Sequence, residues 1–521
     1  MVALAARRVD GIGSEVPVHP VLFALYPVLH LYATNAGEVA AADVLAPLLL
    51  VVGLTVLGQG LLTIILRDGR RAAIAATSVV VPVMLFGLLL EIAEPLVGDD
   101  ERLLLAICVV GVGVAVVGSL RMGSRLGQLT LGLNAIGLVL VLLTLVPVAR
   151  GMAAVDAPAD DRVVRAPAAE LPEGLATRDI YHLILDRYGS EPSLRTGFGI
   201  DNSGFTDWLR DQGFQVIDDA RANYTRTTRS LASTLGMSLL DSLVERMGPD
   251  AGNYAPLTRQ VERSRAGAAL QRLGYEYVHI GSWYNPTRDS RIADRSYSPE
   301  TEVTFATTLY DGTVLPVLVA LPQQTDDFPR KHADSAEYQL DLLEVLVREP
   351  GRKYVFAHIL LPHDPYVFLP DGTFAPEPAD FASQLAYTNA RLQALIAMLL
   401  VRPEAERPII IVQGDEGPFP PRYADDEDGF DWSTATDEEL VTKFGILNAL
   451  YLPGPEGAAP LPDGLTPVNT YPEILARYFG SEVSRQPDRT YASNRARPYD
   501  QLDVTERLEA LIAAGEGPAG G

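Results

Sequence analysis

The chain has 521 residues, 48% of them hydrophobic, and its 66 acidic side chains outnumber its 42 basic ones, which gives a formal net charge of −24. A chain with this net negative charge would repel the phosphates of a nucleic acid, so nucleic acid is excluded as a partner. The one cysteine, Cys108, lies in an apolar run, which excludes a disulfide framework and a cysteine-ligated metal site.

The apolar residues are concentrated in residues 1–150, where only 10 of the 66 acidic residues occur. Five apolar runs there approach or exceed the roughly 17 to 25 residues that a helix needs to cross a bilayer. Runs of this length between short polar loops are difficult to house in a soluble fold. Residues 1–150 are therefore predicted to form a transmembrane domain of five helices, over 16–33, 44–66, 72–92, 103–120 and 129–148.

The charges of the loops predict the orientation of this domain. Basic residues precede the first run and follow the second and fourth, whereas acidic residues follow the first and third. Because basic loops stay in the cytoplasm, the N-terminus is predicted to be cytoplasmic and the chain beyond Arg150 extracytoplasmic, in a bacterial plasma membrane. The basic residues are Arg7, Arg8, Arg67, Arg70, Arg71, Arg121 and Arg125; the acidic ones are Glu38, Asp43, Asp99, Asp100 and Glu101.

The remaining chain has the pattern of a polar globular domain. Residues 151–178, rich in Ala, Pro, Asp and Glu, are predicted to be a linker, and 513–521 a disordered tail. In residues 179–512 apolar strands alternate with amphipathic helices, which predicts an α/β fold with a mostly parallel central sheet flanked by helices. The stretch 286–331 shows no regular pattern and is interpreted as an insertion that shapes a substrate site.

Acidic side chains follow two of the predicted strands. The first strand ends on Asp186, and the apolar run that begins at Ile409 stops at Gly414 and presents Asp415 and Glu416. Ligands of parallel sheets gather at the carboxyl ends of strands, and adjacent carboxylates that repel each other favour a cation beside them. The alternative is an ordinary turn in which Asp415 acts as a cap and Glu416 is solvated.

A predicted helix over 222–240 begins with more hydroxyl groups than a cap requires. Its apolar face is formed by Leu231, Leu235 and Leu239. One Ser or Thr suffices for capping, whereas a nucleophilic hydroxyl at a helix N-terminus gains from the dipole and from free N–H groups that bind a phosphate or sulfate. The hydroxyl residues at this start are Thr225, Thr227, Thr228 and Ser230.

Two further polar groups follow strands and are expected at the same sheet edge. Trp283 comes after a strand that ends at Ile280, and His363 comes after a strand that ends at Leu361. Trp283 either lines a pocket or packs in the core, and His363 either contacts substrate or orders its loop. His182 and His279 fall within strands and are predicted to be packed.

Six stretches of the predicted extracytoplasmic domain, residues 179–512, together resemble the sulfatase-like branch of the alkaline phosphatase superfamily, in particular the membrane-bound lipoteichoic acid synthase and phosphoethanolamine transferase type. They occur in family order across nearly the whole domain, and the five predicted membrane helices suit the synthase type. The stretches are LDRYG at 185–189, NYTRTTRSLAS at 223–233, HILLPHDPYVF at 358–368, QGDEG at 413–417, ILNALYLP at 446–453 and TPVNTY at 466–471.

The resemblance implies a role for each matching position. Asp186 and Asp415 are expected as metal ligands, Thr227 as a nucleophile that also touches the metal, and His363 as a contact to the substrate or leaving group. The family usually has Asp-His-Gly at the last site, where this chain has Glu416 in place of the histidine. Glu416 is expected as a further metal ligand or as a source of excess negative charge.

Two other positions bear on the expected site. Trp283 is expected in the substrate site, and Pro472 stands where relatives tend to have an arginine. The metal ligands expected here all offer oxygen, and such a set favours Mn²⁺ or Mg²⁺ over zinc.

The predicted function is a metal-dependent phosphotransferase or phosphoesterase that acts on a lipid head group or an envelope glycan. Its expected partners are a membrane lipid donor and an envelope glycan or lipid acceptor. A sulfuric ester hydrolase is the enzymatic alternative, although the stretch that begins at Ser190 places its arginine one residue late for a C/S-x-P-x-R motif. A catalytically degenerate envelope-binding protein is the alternative from another class, favoured by Glu416 and Pro472.

Overall fold

The computed structural model describes residues 16–34, 39, 41–97, 100–123, 125–155, 178–299, 305–319, 328–481 and 483–515. These residues separate into two compact units. The first comprises the described residues up to 155 together with 305–319, and the second comprises all the others. Most of the predicted linker (156–177) and the end of the predicted tail (516–521) lie outside the described residues.

The first unit is helical and strongly apolar. Three of its helices are long and apolar enough to cross a membrane, and a fourth crossing is possible if two helices bent by 72° count as one span. The predicted first crossing is a helix of 16 residues that contains Pro27, so the count of five stays a prediction. The helices are α1 His19–Thr34, α2 Ala41–Leu66, α3 Gly69–Met84, α4 Phe86–Val97, α5 Glu101–Arg121, α6 Arg125–Val155, α14 Phe305–Asp311 and α15 Leu315–Leu318.

The second unit is built on a seven-stranded sheet of order β2-β7-β6-β1-β5-β3-β4. The central strands β6, β1, β5 and β3 are parallel, β4 is parallel to β3, and only β7 runs against its neighbours. The predicted mostly parallel sheet flanked by helices is thereby confirmed. The strands are β1 Ile180–Leu185, β2 Gln215–Val216, β3 Glu276–Ile280, β4 Arg295–Tyr297, β5 Lys353–Ile359, β6 Ile409–Gly414 and β7 Asn448–Tyr451, with a separate pair β8 Tyr491–Ala492 and β9 Leu502–Asp503.

Helices cover both faces of this sheet. Every residue of β1, β5 and β6 is buried, as expected for parallel strands that are covered on both sides. The helices are α7 Glu191–Phe198, α8 Ser203–Asp211, α9 Thr227–Gly236, α10 Asp241–Met247, α11 Ala255–Glu262, α12 Arg265–Arg272, α13 Asn285–Arg288, α16 Phe328–Arg348, α17 Phe381–Leu400, α18 Pro421–Asp425, α19 Asp437–Phe444, α20 Thr470–Phe479 and α21 Thr505–Gly515.

Two predicted irregular stretches contain helix. The stretch 286–331 includes most of α13, all of β4, α14 and α15, and the start of α16. The predicted disordered tail begins inside α21, which continues to Gly515. The elements α13, β4, α14 and α15 have three to seven residues each, too few for a periodic pattern to predict. Phe305 and Leu309 of α14 are buried against helices that lie more than 190 residues earlier in the chain.

Candidate metal centre

Three titratable side chains lie where neighbouring central strands end. Asp186 directly follows β1, Asp415 directly follows β6, and His358 is the next-to-last residue of β5. In the parallel register, Ile184 lies beside His358 on one side and Gln413 on the other. Since side chains alternate along a strand, Asp186, His358 and Asp415 belong to the same face of the sheet.

These three side chains can hold a metal ion. One ligand atom from each of Asp186, His358 and Asp415 lies within 4.8 Å of the others, and His358 Nε2 is 3.4 Å from Asp186 Oδ2. Three of their atoms are buried without a hydrogen-bond partner, namely Asp186 Oδ1, His358 Nε2 and Asp415 Oδ2. Buried polar atoms are nearly always paired, and a divalent cation is the partner that satisfies all three at once. The residues present therefore fit a metal ion.

The electrostatics of the cluster agree with this fit. Burial, with the nearby charge of Glu416, raises the pKa of Asp186 to about 7. Burial and the charge of Asp186 hold the pKa of Asp415 well above its usual range. Burial lowers the pKa of His358 to about 4, so its imidazole is neutral near pH 7 and Nε2 has a lone pair to offer. Burial and repulsion together raise both carboxyl pKa values, and a cation bound to the two groups would offset both effects.

The second nitrogen of His358 is held in place. Thr287 Oγ1 lies 2.7 Å from His358 Nδ1 and 3.3 Å from the carbonyl oxygen of Tyr284, to which it donates. The hydroxyl thus has a lone pair for an Nδ1–H donor, which leaves Nε2 free to bind a metal. Such support of the outer nitrogen is the usual arrangement for a metal-ligating histidine.

His358 was not predicted as a site residue. The resemblance implies a substrate or leaving-group contact at His363, which follows the predicted strand, whereas His358 lies within that strand. The predicted preference for Mn²⁺ or Mg²⁺ rested on an all-oxygen set, and two carboxylates with an imidazole suit zinc equally. The donor set therefore supports a divalent cation without selecting one.

Glu416 lies beside this cluster and has a partner of its own. Lys443 Nζ donates a hydrogen bond of 2.6 Å to Glu416 Oε2, and both residues are buried. Burial lowers the pKa of Lys443 to about 8. The ion pair offsets the negative charge that Glu416 brings to the site. A role of Glu416 as a metal ligand stays a prediction.

Thr227 is the first residue of α9, and its hydroxyl faces the acidic cluster. Leu231 and Leu235 pack into the same core cluster as Ile184. Ser230, in the first turn, donates to the carbonyl oxygen of Asp415, which places the helix start at the carboxyl edge of the sheet. Thr227 Oγ1 lies 3.5 Å from Glu416 Oε1.

The other hydroxyl groups at this helix start have structural partners. Thr225 Oγ1 donates to the carbonyl oxygen of Ser493 at 2.8 Å, and Ser230 Oγ donates to the carbonyl oxygen of Asp415 at 2.6 Å. Thr228 Oγ1 is hydrogen-bonded to the hydroxyl of Tyr284. Of the four candidates, Thr227 is the one whose described hydrogen bond reaches a carboxylate of the site.

The backbone around the two acids is tightly enclosed. A Cβ atom on Gly414 would lie 2.4 Å from the carbonyl oxygen of Tyr188, and one on Gly417 would lie 2.4 Å from that of Thr442. Both glycines of the GDEG sequence are thus required by close backbone approach. Arg187 adopts a positive φ of 60°, and its backbone N–H donates to Asp415 Oδ1 at 3.1 Å, which orients that carboxylate.

The predicted substrate contacts lie outside the three-residue cluster. The ring centroids of Trp283 and His363 are 6.2 Å apart, and Trp283 Nε1 donates to His332 Nδ1 at 3.1 Å. Their roles toward a substrate stay predictions. His182 and His279 are buried, and they are hydrogen-bonded to the hydroxyl of Tyr471 and to the carbonyl oxygen of Thr287, as predicted for packed histidines.

Comparisons with known proteins give similarity in structure only. No family model and no curated protein matches the chain. The C-terminal periplasmic domain of EptC from Escherichia coli is 12% identical over 65% of this chain and 94% of its own, with a TM-score of 0.38. The corresponding domain of the phosphoethanolamine transferase EptC from Campylobacter jejuni is 10% identical over 60% and 92%, with a TM-score of 0.36.

A sulfatase is similar to the same extent. BT1596, a 2-O GAG sulfatase, is 11% identical over 62% of this chain and 74% of its own, with a TM-score of 0.39. Scores this low assign no activity to the chain, and the lipoteichoic acid synthase type stays a prediction.

Proposed function

We propose that the second unit is a metal-dependent phosphotransferase or phosphoesterase that uses Thr227 as its nucleophile. The observation that carries this proposal is the convergence of three buried, unpartnered ligand atoms of Asp186, His358 and Asp415. Thr227 begins a ten-residue helix beside them, where free N–H groups and the helix dipole favour an anionic phosphoryl group.

A divalent ion bound by Asp186, His358 and Asp415 would supply positive charge to offset the charge of the transferring phosphoryl group. Thr227 Oγ1 attacks phosphorus, the new O–P bond forms, and the bond from phosphorus to the leaving oxygen breaks. The hydroxyl proton passes to Glu416 Oε1, the acceptor 3.5 Å away. Lys443 holds the other oxygen of Glu416 and keeps the carboxylate in place. The leaving oxygen departs with the proton that Glu416 gives up through solvent. An acceptor hydroxyl or water then attacks the phosphorus of the phospho-threonine, the bond from Thr227 Oγ1 to phosphorus breaks, and the acceptor's proton passes to Oγ1, which restores the threonine hydroxyl.

The membrane helices support a lipid donor. A protein with at least three apolar helices long enough to span a bilayer keeps its second unit at a membrane, where lipid head groups are the abundant phosphate esters. The proposed arrangement is a multi-pass plasma-membrane protein with a cytoplasmic N-terminus and an extracytoplasmic site. The proposed acceptor is an envelope glycan or a second lipid.

The test is turnover of radiolabelled phosphatidylglycerol and phosphatidylethanolamine by the purified full chain, with Mn²⁺, Mg²⁺ or Zn²⁺ added. Thr227→Ala is expected to abolish turnover, whereas the matched Thr225→Val variant, at a hydroxyl bonded to Ser493, should keep most of it if folded. Trapping without acceptor should leave label on Thr227. Equal turnover by Thr227→Ala and wild type would remove Thr227 from the mechanism.

The choice of substrate distinguishes the proposed phosphoryl-transfer activity from the alternative, a sulfatase. Ser190 Oγ accepts a hydrogen bond from the backbone N–H of Ser193 and caps α7, which gives this motif-like stretch a structural role. Hydrolysis of an aryl sulfate but not of the matching aryl phosphate would favour the sulfatase. A chain that binds no divalent ion and turns over neither ester would be a non-catalytic envelope-binding protein.

A further inference from the structure

Residues 305–319 belong with the apolar helices of the first unit, here called the membrane helices, although the chain enters and leaves them from the second unit, here called the outer unit. They form the short helices α14 and α15, and they contain a single charged residue, Asp311. The sequence pattern suggested an insertion that shapes a substrate site. The contacts of this segment indicate a different role.

The segment pairs with the backbone at the break between α3 and α4. In a continuous helix the N–H of Gly87 would donate to the carbonyl of Val83, four residues earlier. Instead Gly87 N donates to Gly312 O at 3.1 Å, and Val83 O accepts from Val314 N at 3.0 Å. Two backbone groups freed by the break are thus satisfied by the segment. In a bilayer no water replaces a lost hydrogen-bond partner, so unpaired backbone groups are strongly unfavourable and the 72° bend depends on this segment.

Side chains of the segment are buried in two clusters with the membrane helices. Phe305 and Leu309, one helical turn apart, pack with Val28 of α1 and Val44 of α2. A second cluster is formed by Phe86, Leu104 and Val314, and Cys108 and Val317 pack against it.

The opposite side of the segment is apolar and exposed. Leu315, Leu318 and Val319 are 39%, 56% and 43% exposed. The membrane helices that the segment contacts also expose apolar residues, including Ile92 of α4 and Ile107 of α5. Exposed apolar side chains on membrane helices are covered by lipid, and the same partner suits these three residues.

We infer that residues 305–319 are a second membrane attachment of the outer unit, seated in the broken helix pair α3 and α4 with Leu315, Leu318 and Val319 against lipid. The outer unit is then tied to the membrane at this segment as well as through the linker after α6. Cutting the linker alone does not free it. The inference does not depend on any enzymatic activity.

The experiment places a site for a sequence-specific protease after Ala168 and cuts the full chain in right-side-out membrane vesicles. The C-terminal fragment is expected to stay with the membrane through a high-salt and an alkaline carbonate wash. Replacement of 305–319 by an equal length of Gly and Ser should release it. Fluorescence of Trp208, Trp283 and Trp432, all in the outer unit, reports whether the released fragment is folded. Release of the unaltered fragment, or retention of the Gly/Ser variant, would overturn the inference.

A cross-link keeps the inference testable if the replacement does not fold. A short bis-maleimide is applied to the Val317→Cys variant, which keeps the native Cys108, and the linker is then cut. Covalent joining of the two fragments is expected, because both positions pack on one cluster. The matched control carries Val317→Cys with Cys108→Ala. Fragments that separate in both variants would overturn the seating in the membrane unit.

The lipid contact is tested by a fluorophore on Leu318→Cys in the Cys108→Ala background. Spin-labelled lipid is expected to quench it and aqueous iodide to leave it bright. The control position is Val345→Cys on α16 of the outer unit, where the side chain is 55% exposed. Quenching of both positions by iodide alone would overturn the lipid contact.

Discussion

Lys443 Nζ donates a 2.6 Å hydrogen bond to Glu416 Oε2, and both side chains are buried at the carboxyl edge of the sheet. The position after Asp415, where the resemblance leads to the expectation of a histidine, thus holds one half of an ion pair. The imidazole of the site comes instead from His358, on the strand that flanks β1 on its other side. Where the expected histidine is replaced by Glu416, Lys443 balances the charge of the carboxylate and His358 supplies an imidazole to the cluster.

Lys443→Met should destabilise the outer unit by about 3 to 5 kcal/mol, because it leaves Glu416 buried without a counter-charge. The double variant Lys443→Met with Glu416→Gln should recover most of this loss, since both charges are then absent. Denaturant unfolding of the full chain in detergent, followed by tryptophan fluorescence, measures both. A double variant as unstable as Lys443→Met would show that packing rather than charge sets the loss.

His358→Gln should remove stoichiometric binding of a divalent ion, because Nε2 is one of only three unpartnered ligand atoms in the described cluster. His363→Gln is the matched control, since this histidine lies outside the cluster, and it should keep the ion. Elemental analysis after dialysis and calorimetric titration with Mn²⁺ and Zn²⁺ measure the binding. If the two variants lose the ion equally, His358 has no special part in the site.

Thr287→Val should weaken metal affinity about 10- to 100-fold, as expected for loss of the group that supports a metal-ligating histidine. The hydroxyl lies 2.7 Å from His358 Nδ1, and valine fills the same space without it. Thr287→Ser restores the hydroxyl and should restore affinity. Titration of the three proteins with one ion provides the comparison, and equal affinity of the Val and Ser variants would contradict this role.

The two carboxylates were predictable because each directly follows a run of apolar residues that forms a buried strand, so local pattern alone put Asp186 and Asp415 at strand ends. His358 was not predictable as their partner. Its role depends on β5 lying beside β1, and strand order is set by pairings between residues more than 170 positions apart. Only the structure shows that the ring is part of the site.

The bend between α3 and α4 and the pairing of Glu416 with Lys443 depend on the same kind of long-range contact. The apolar run 72–92 predicts one membrane-spanning helix, and the groups that satisfy the backbone at its break come from Gly312 and Val314. Lys443 belongs to the amphipathic helix α19, where its side chain would ordinarily be assigned to solvent. Its burial follows from the tertiary position of Glu416.

His279 introduces a dependence of stability on pH. The residue is buried in β3, and its Nε2–H donates to the carbonyl oxygen of Thr287 at 2.8 Å. Burial lowers its pKa from 6.5 to about 4. Because the folded pKa lies below the unfolded one, the unfolded chain takes up a proton first as the pH falls. The stabilisation is fully present above pH 6.5 and is lost as the pH falls from there toward 4.

Between pH 7 and pH 5 this one histidine should lower the free energy of unfolding by about 2 kcal/mol. His279→Gln keeps a donor for the carbonyl oxygen of Thr287 but cannot take up a proton. The free energy of unfolding of the variant should therefore not show the fall of about 2 kcal/mol that His279 causes between pH 7 and pH 5. The difference in stability between wild type and variant should therefore shrink by about 2 kcal/mol from pH 7 to pH 5. Denaturant unfolding in detergent at both pH values, followed by tryptophan fluorescence, measures it. A difference that stays constant with pH would show that His279 takes up its proton equally in the folded and unfolded chain.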